Sequence, residues 1–209
     1  MRTVCGTILA AVMAALSAHG AFDVRDFGAK EGRLTLNGRN IFLRSEANCA
    51  VFPETGHWPM DAASWKTILS TYRSYGVNCM RFHSHCPPEA AFAAADELGM
   101  MMQPELSHWN PRTAFHSPQS QAYYRAELEG ILRMLANHPS FIALSLGNEL
   151  HMDSDGQAFA DSLLVLARKL DPTRLYAAGS NNHYGAKGEN PADDFYTSFC
   201  YHAHDLRAT

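Results

Sequence analysis

Asn137-His-Pro-Ser-Phe-Ile-Ala-Leu-Ser-Leu-Gly-Asn-Glu-Leu150 is the stretch on which the reading of this chain turns. Its apolar run, Phe141 to Leu146, opens after His138-Pro139 and stops at Gly147. That length and those boundaries predict a strand buried on both faces. Asn148-Glu149 stands directly at its carboxyl end. In barrels of alternating strands and helices, catalytic side chains gather at the carboxyl ends of the strands. Glu149 is therefore the first functional candidate.

Working outward, strand and helix signals alternate. Upstream, Arg33 to Arg44 carries Asn37-Gly38 between two alternating apolar runs, a hairpin signal. Its second arm, Ile41 to Leu43, is expected to continue as a barrel strand ending near Arg44 to Glu46. Asp61 caps a helix through about Tyr75, with Trp65, Ile68, Leu69 and Tyr72 at helical spacing and Gly76 closing it. Val77 to Phe82 reads as a strand and Pro88 to Leu98 as a helix stopped by Gly99. Met100 to Gln103 is a third strand, Ser120 to Leu135 a helix and Phe141 to Leu146 a fourth strand. Asp155 to Leu170 is a helix ended by Asp171-Pro172. Leu175 to Ala178 is a fifth strand, and Phe195 to Cys200 a sixth.

This alternation places the chain in the α/β class, with a parallel sheet and crossover helices. Two architectures fit: an open doubly wound sheet and a closed (β/α)8 TIM barrel. The open sheet usually shows a glycine-rich first turn, and none is present. Polar and aromatic residues instead follow each strand end, as loops around one mouth would. The barrel is favoured, preceded by a short β-hairpin. A full barrel takes about 250 residues, and this chain of 209 offers five to six strands, so the expected barrel is incomplete.

Composition is that of an ordinary globular chain, 46% hydrophobic and 18% charged with a net charge of -4, enough for one core. No basic cluster points to nucleic acid. Residues 1–20 read as a secretory signal peptide: Arg2, an apolar stretch from Val4 to Leu16, then small residues with Ala18 and Gly20 at the minus-three and minus-one positions of a cleavage site. The stretch is shorter than the roughly 20 apolar residues of a membrane span. An exported domain over residues 21–209 is expected. Cys49, Cys79, Cys86 and Cys200 remain after Cys5 is removed. They lack zinc-like spacing and are expected to be free thiols, with Cys49–Cys86 the first pairing to consider if a bridge exists.

The strand ends carry, in order, Arg44 to Asn48, Arg81 to Pro88, Gln103 to Asn110, Asn148-Glu149, Ser180 to Tyr184 and Tyr201-His202. Amides, imidazoles, indoles and carboxylates with an arginine suit an uncharged, hydroxyl-rich ligand such as an oligosaccharide or polysaccharide. Glycosidic cleavage needs two carboxyl groups, one a general acid and the other a nucleophile or base. Glu149 suits the acid, and Asn148 a sugar hydroxyl. Equally, Asn148 can cap the following helix with Glu149 complementing its dipole. Trp58, Trp109 and Asn182 are candidate sugar contacts, whereas Trp65 belongs to the core.

Several of these residues carry a resemblance. Val24 to Arg44 resembles the entry to the catalytic barrel of glycoside hydrolase family 2. Trp65 to Phe82, with Tyr75-Gly-Val-Asn78 leading to Arg81, is similar to that family's first helix and second strand. His85-Cys-Pro-Pro88 resembles its His-x-Pro-Pro turn, Ala95 to Gly99 through Glu105 its third strand, and His138 to Glu149 its acid/base strand. The resemblance implies a retaining glycosidase without cofactor, with Glu149 as acid/base and Arg81, His85, Glu105 and Asn148 lining the site. The nucleophile it implies is a glutamate on the seventh strand, beyond Thr209. Departures are Ser45-Glu46 after the first strand, one extra residue between Arg81 and Pro87, and no preceding sandwich domains. Glu189 falls in a polar loop, and Glu46 and Glu105 are substitutes for the nucleophile. Two other functions remain: a sugar-binding remnant that cleaves nothing, and a metal-dependent barrel hydrolase using His83 and His85 with His183, His202 or His204.

Overall fold

The computed structural model describes residues 25–110, 112–179 and 190–195. An antiparallel ladder comes first: β1 (Phe27–Lys30), β2 (Arg33–Leu36) and β3 (Arg39–Asn40). Both of its turns have two residues, Glu31-Gly32 and Asn37-Gly38, all at positive φ between 51° and 74°. Such turns match the twist of the flanking strands. The Asn37-Gly38 turn is the one expected. The Glu31-Gly32 turn is not, because glutamate carries no left-handed preference to announce it.

Five parallel strands follow in sequence order: β4 (Ser45–Asn48), β5 (Cys79–Phe82), β6 (Met101–Gln103), β7 (Ala143–Ser145) and β8 (Leu175–Ala177). Helices α1 (Ala62–Ser74), α2 (Glu89–Leu98), α3 (Pro118–Leu135) and α4 (Ser154–Leu170) fill the four crossovers. The ladders β4-β5-β6 and β7-β8 are joined by parallel bridges at Met102–Phe141 and Glu105–Ser145. Strand order therefore never reverses, as it would in a doubly wound sheet. Among the described residues this wall is an arc and does not close.

Element boundaries depart from the sequence in ways that caps and register explain. Ile41 to Leu43 is not a barrel strand: pairing of Ser45 with Cys79 and Asn48 with Phe82 sets the first strand later. α3 starts at Pro118 because Ser117 accepts the Ser120 N–H and proline suits the first turn. α4 starts at Ser154 because Asp153 accepts the Gly156 N–H at 2.8 Å. The sixth strand expected at Phe195 to Cys200 lies outside the described residues beyond Phe195, as does the segment read as a signal peptide. Asp193 and Asp194 instead accept from the N–H groups of Ala178 and Tyr176 on the outer edge of β8, at 2.7 and 2.9 Å. Arg168 of α4 holds Asp194 in place at 2.9 Å. No helix among the described residues is long and apolar enough to cross a membrane.

Two apolar bodies result from the period-2 alternation of the strands. Outward-facing Met80, Phe82, Met102 and Leu144 pack under the helices with Trp65, Phe92, Leu128 and Leu164. Trp65 is wholly buried and donates its indole N–H to the Pro59 carbonyl at 2.8 Å, as a core tryptophan should. Cys79, Met101, Ile142 and Ala143 form the second body, against which Leu34, Leu36, Ile41 and Leu43 pack. The hairpin and the segment after it thus close the amino-terminal end of the arc. Cys49, Cys79 and Cys86 are free thiols; Cys200 is outside the described residues.

Two local devices place the strand that carries Glu149. At its start, Asp96 of α2 accepts from His138 Nδ1 at 2.6 Å and from the Ser140 N–H at 2.8 Å. The hydrogen bond to Asp96 holds the His138 pKa above its ordinary value, against the opposing effect of burial. At its end, Gly147 adopts φ 143° against the His108 backbone. A β-carbon there would lie 2.3 Å from the His108 oxygen. Only glycine accepts both that conformation and that approach.

Gly147→Ala is expected to cost about 3 kcal/mol or more, from backbone strain and overpacking together; urea unfolding of the variant beside wild type measures it. His138 gives a pH signature. Because its folded pKa is raised, its contribution is full below about pH 6.5 and is lost as pH rises through the folded value. Melting temperature should accordingly decline as pH rises above about 6.5. Asp96→Asn should flatten that part of the profile.

Candidate active site

The inward face of the wall changes character along its height. Arg81, Gln103 and Ser145 stand two residues beyond Cys79, Met101 and Ala143, so they share the inward face one layer higher. Gln103 Nε2 donates to Ser145 Oγ at 3.2 Å. Above them the polar groups converge on Glu105, which is 0% exposed. Arg81 Nε donates to Glu105 Oε1 at 2.8 Å, and the Ser84 N–H donates to Glu105 Oε2 at 2.7 Å. A second arm of the same guanidinium, Arg81 Nη2, donates to Asn148 Oδ1 at 2.7 Å. A buried carboxylate needs such partners, because leaving a charge unpaired in the interior costs several kcal/mol.

This arrangement decides the role of Asn148. Its side chain is bound to Arg81 at the mouth, and the cap of α4 is Asp153, so the helix-capping alternative does not hold. The Asn148 N–H donates to the His108 carbonyl at 2.9 Å, and Asn148 forms a parallel bridge with Trp109. Glu149 follows, half-buried and at φ 49°. Its Oε2 accepts the Trp109 indole N–H at 2.9 Å. Left-handed residues also follow β4 and β5, at Ala50 and Ser84. Backbone strained in this way gathers at functional sites.

The remaining candidates divide. His85 lies beside the network: its ring stacks on Trp58 at 5.5 Å and its Nδ1 meets the His83 carbonyl at 2.9 Å. Burial pushes its pKa down, so the ring favours the neutral form. Trp109 is 60% exposed and presents an aromatic face at the rim. Glu105 is committed to Arg81 and Ser84, and Glu46 lies on the outward face of β4, where it meets Tyr72 of α1. Neither is placed as a second carboxylate facing Glu149. Asn182 and Glu189 lie outside the described residues, as do His183, Tyr201, His202 and His204. Among the described residues no three histidine, cysteine or acidic side chains are grouped to hold a metal ion, so His83 and His85 gather no third ligand there.

Sequence reasoning missed the contribution of His108. It stacks on Tyr124 of α3 at 4.1 Å and 15°, packs edge-on to Phe115, and is held neutral by burial, its pKa pushed down to about 4. A histidine directly before a tryptophan in a loop gives no sign of burial. Its place is set by a helix that starts ten residues later.

The chain matches the family described as glycosyl hydrolases family 2, TIM barrel domain, over residues 27–205. It is 28% identical over 151 residues to a provisionally named β-glucuronidase of Formosa agariphila, covering 70% of this chain and 14% of that protein. It is 25% identical over 159 residues to a β-galactosidase of Vibrio cholerae, covering 73% and 15%. The chain therefore spans about a seventh of the length of these relatives. Among solved structures, a β-glucuronidase of Parabacteroides merdae with glycerol in its active site superposes with TM-score 0.73 at 24% identity. That likeness covers 88% of this chain and 24% of the other, and it speaks for the fold. Strand order, the mouth and the family match agree, and the chain belongs to glycosyl hydrolase family 2, its parallel strands being part of that family's TIM barrel domain.

Proposed function

We propose that this chain supplies the acid-bearing part of a retaining β-glycosidase, with Glu149 as general acid/base. One observation carries the reading: Glu149 stands at a barrel strand end beside Asn148, whose amide is fixed by the same guanidinium that neutralises the buried Glu105. In cleavage, Glu149 gives its proton to the glycosidic oxygen as the bond to the sugar breaks. It then takes a proton from the water that releases the sugar. Asn148 and Arg81 bind hydroxyls of the bound sugar, and His85 and Trp109 line the approach.

The second carboxylate of the mechanism would come from a strand outside the described residues, on the opposite side of the mouth, about 5 Å from Glu149 in a retaining enzyme. The β4–β8 arc then forms the first five strands of an eight-stranded barrel. Residues 1–20 act as an export signal. The relatives named β-glucuronidase and β-galactosidase make a β-linked hexuronide or hexoside the substrate class to test.

Reading the coding sequence past the codon for Thr209 is expected to show an open frame with a glutamate at a later strand end. A stop codon there would leave a sugar-binding remnant instead. In the full-length enzyme, Glu149→Gln should lower kcat/KM on glycosides with poor leaving groups by about 100-fold to 10,000-fold. Activated aryl glycosides, which leave without a proton, should be much less affected. Wild-type rates on the poor substrates would refute the assignment.

A further inference from the structure

Ser107 is bound to α3 through each of its polar groups. Its N–H donates to both oxygens of Glu127, at 3.3 and 3.2 Å, and its hydroxyl donates to Glu127 Oε1. Its carbonyl accepts the Tyr124 hydroxyl at 3.2 Å. Tyr123 and Tyr124 lie four and three residues before Glu127, so both neighbour it on the surface of α3. Glu127 is half-buried, and burial pushes its pKa up while the Ser107 hydrogen bonds oppose that shift. A carboxylate placed there needs hydrogen bonds to offset its burial, and Ser107 donates them.

What it holds is the support of Glu149. After Ser107, His108 stacks on Tyr124, gives its carbonyl to the Asn148 N–H and lies against Gly147. Trp109 comes next, with its indole N–H on Glu149 Oε2. An indole nitrogen can only donate, so Oε2 is held as an acceptor and a proton on Glu149 resides on Oε1. We infer that Glu127 is a positioning residue for the general acid. Through Ser107 it fixes Trp109, whose indole N–H orients the Glu149 carboxyl so that Oε1 presents the proton to the glycosidic oxygen. The inference rests on the acid/base reading of Glu149. It predicts that disturbing a carboxylate on α3, which itself stands behind the loop, weakens proton donation specifically.

The test uses the full-length enzyme and the β-glucuronides or β-galactosides it cleaves, from 2,4-dinitrophenyl to methyl aglycones. Glu127→Ala and Trp109→Phe should lower kcat on the methyl glycoside by about 10-fold to 100-fold, a part of what general-acid catalysis supplies. In Glu127→Ala the dinitrophenyl kcat/KM, which reports the cleavage step alone, should change by less than about 3-fold, since that aglycone needs no proton. Glu127→Gln, whose amide oxygen still accepts from the Ser107 N–H, should recover most of the loss. Melting temperatures measured alongside separate folding from positioning. An equal loss across all aglycones, or an unchanged methyl-glycoside rate in a folded Glu127→Ala, overturns the positioning role. A Glu149→Gln variant with no leaving-group dependence, or a wild type that cleaves neither series, overturns the acid/base reading instead.

Discussion

The carboxylate of Glu105 is fully buried, and the upper part of this domain is organised by the need to pair it. Arg81 from β5 and the Ser84 N–H supply the partners, and the other arm of Arg81 reaches Asn148 at the end of β7. Three successive strand ends are thus tied through one guanidinium. Arginine suits this position because its planar fork presents several donors in fixed directions and stays charged. Breaking such a pair by removing one partner typically costs about 3 to 5 kcal/mol, because the other charge is left without compensation. The tie therefore sets the distance between strand ends, and with it the shape of the mouth.

The wall beneath works by alternation. Residues two apart share a face, so the inward face runs from Cys79, Met101 and Ala143 below to Arg81, Gln103 and Ser145 above. The lower layer is apolar and is closed by the hairpin segment. The upper layer is polar and pairs within itself. From β5 to β7 the outward face is apolar and is covered by helices. One strand thereby serves a core, a plug and a site, and moving its register by one residue would exchange all three.

The loop from Leu106 to Trp109 links these layers to chemistry. Its backbone passes so close to Gly147 that a side chain is excluded there, and its other side is held by α3 through Ser107 and His108. Glu149 emerges from this contact in a left-handed conformation with Trp109 on its carboxylate. Glu149 is placed by neighbours on both sides, which fits the geometric precision that the proton transfer proposed for it demands.

Local pattern was enough to read the alternation of strands and helices, the Asn37-Gly38 hairpin, the core place of Trp65 and the strand that ends at Asn148-Glu149. Each of these rests on periodicity, turn chemistry or caps, which act over a few residues. The family resemblance added Arg81, His85, Glu105 and Asn148 as neighbours in one site. What only the tertiary structure decided was pairing across long separations. The register of β4 against β5 moved the first barrel strand past Ile41 to Leu43. Burial turned Glu105 from a spare carboxylate into the partner of Arg81, and the outward face of β4 removed Glu46 from the mouth. The contacts of Glu127 with Ser107, and of His108 and Trp109 with Asn148 and Glu149, join residues 20 to 40 positions apart, a separation at which no sequence periodicity operates. Local preferences are written residue by residue, whereas these placements follow from the need to satisfy buried polar groups once the strands lie side by side.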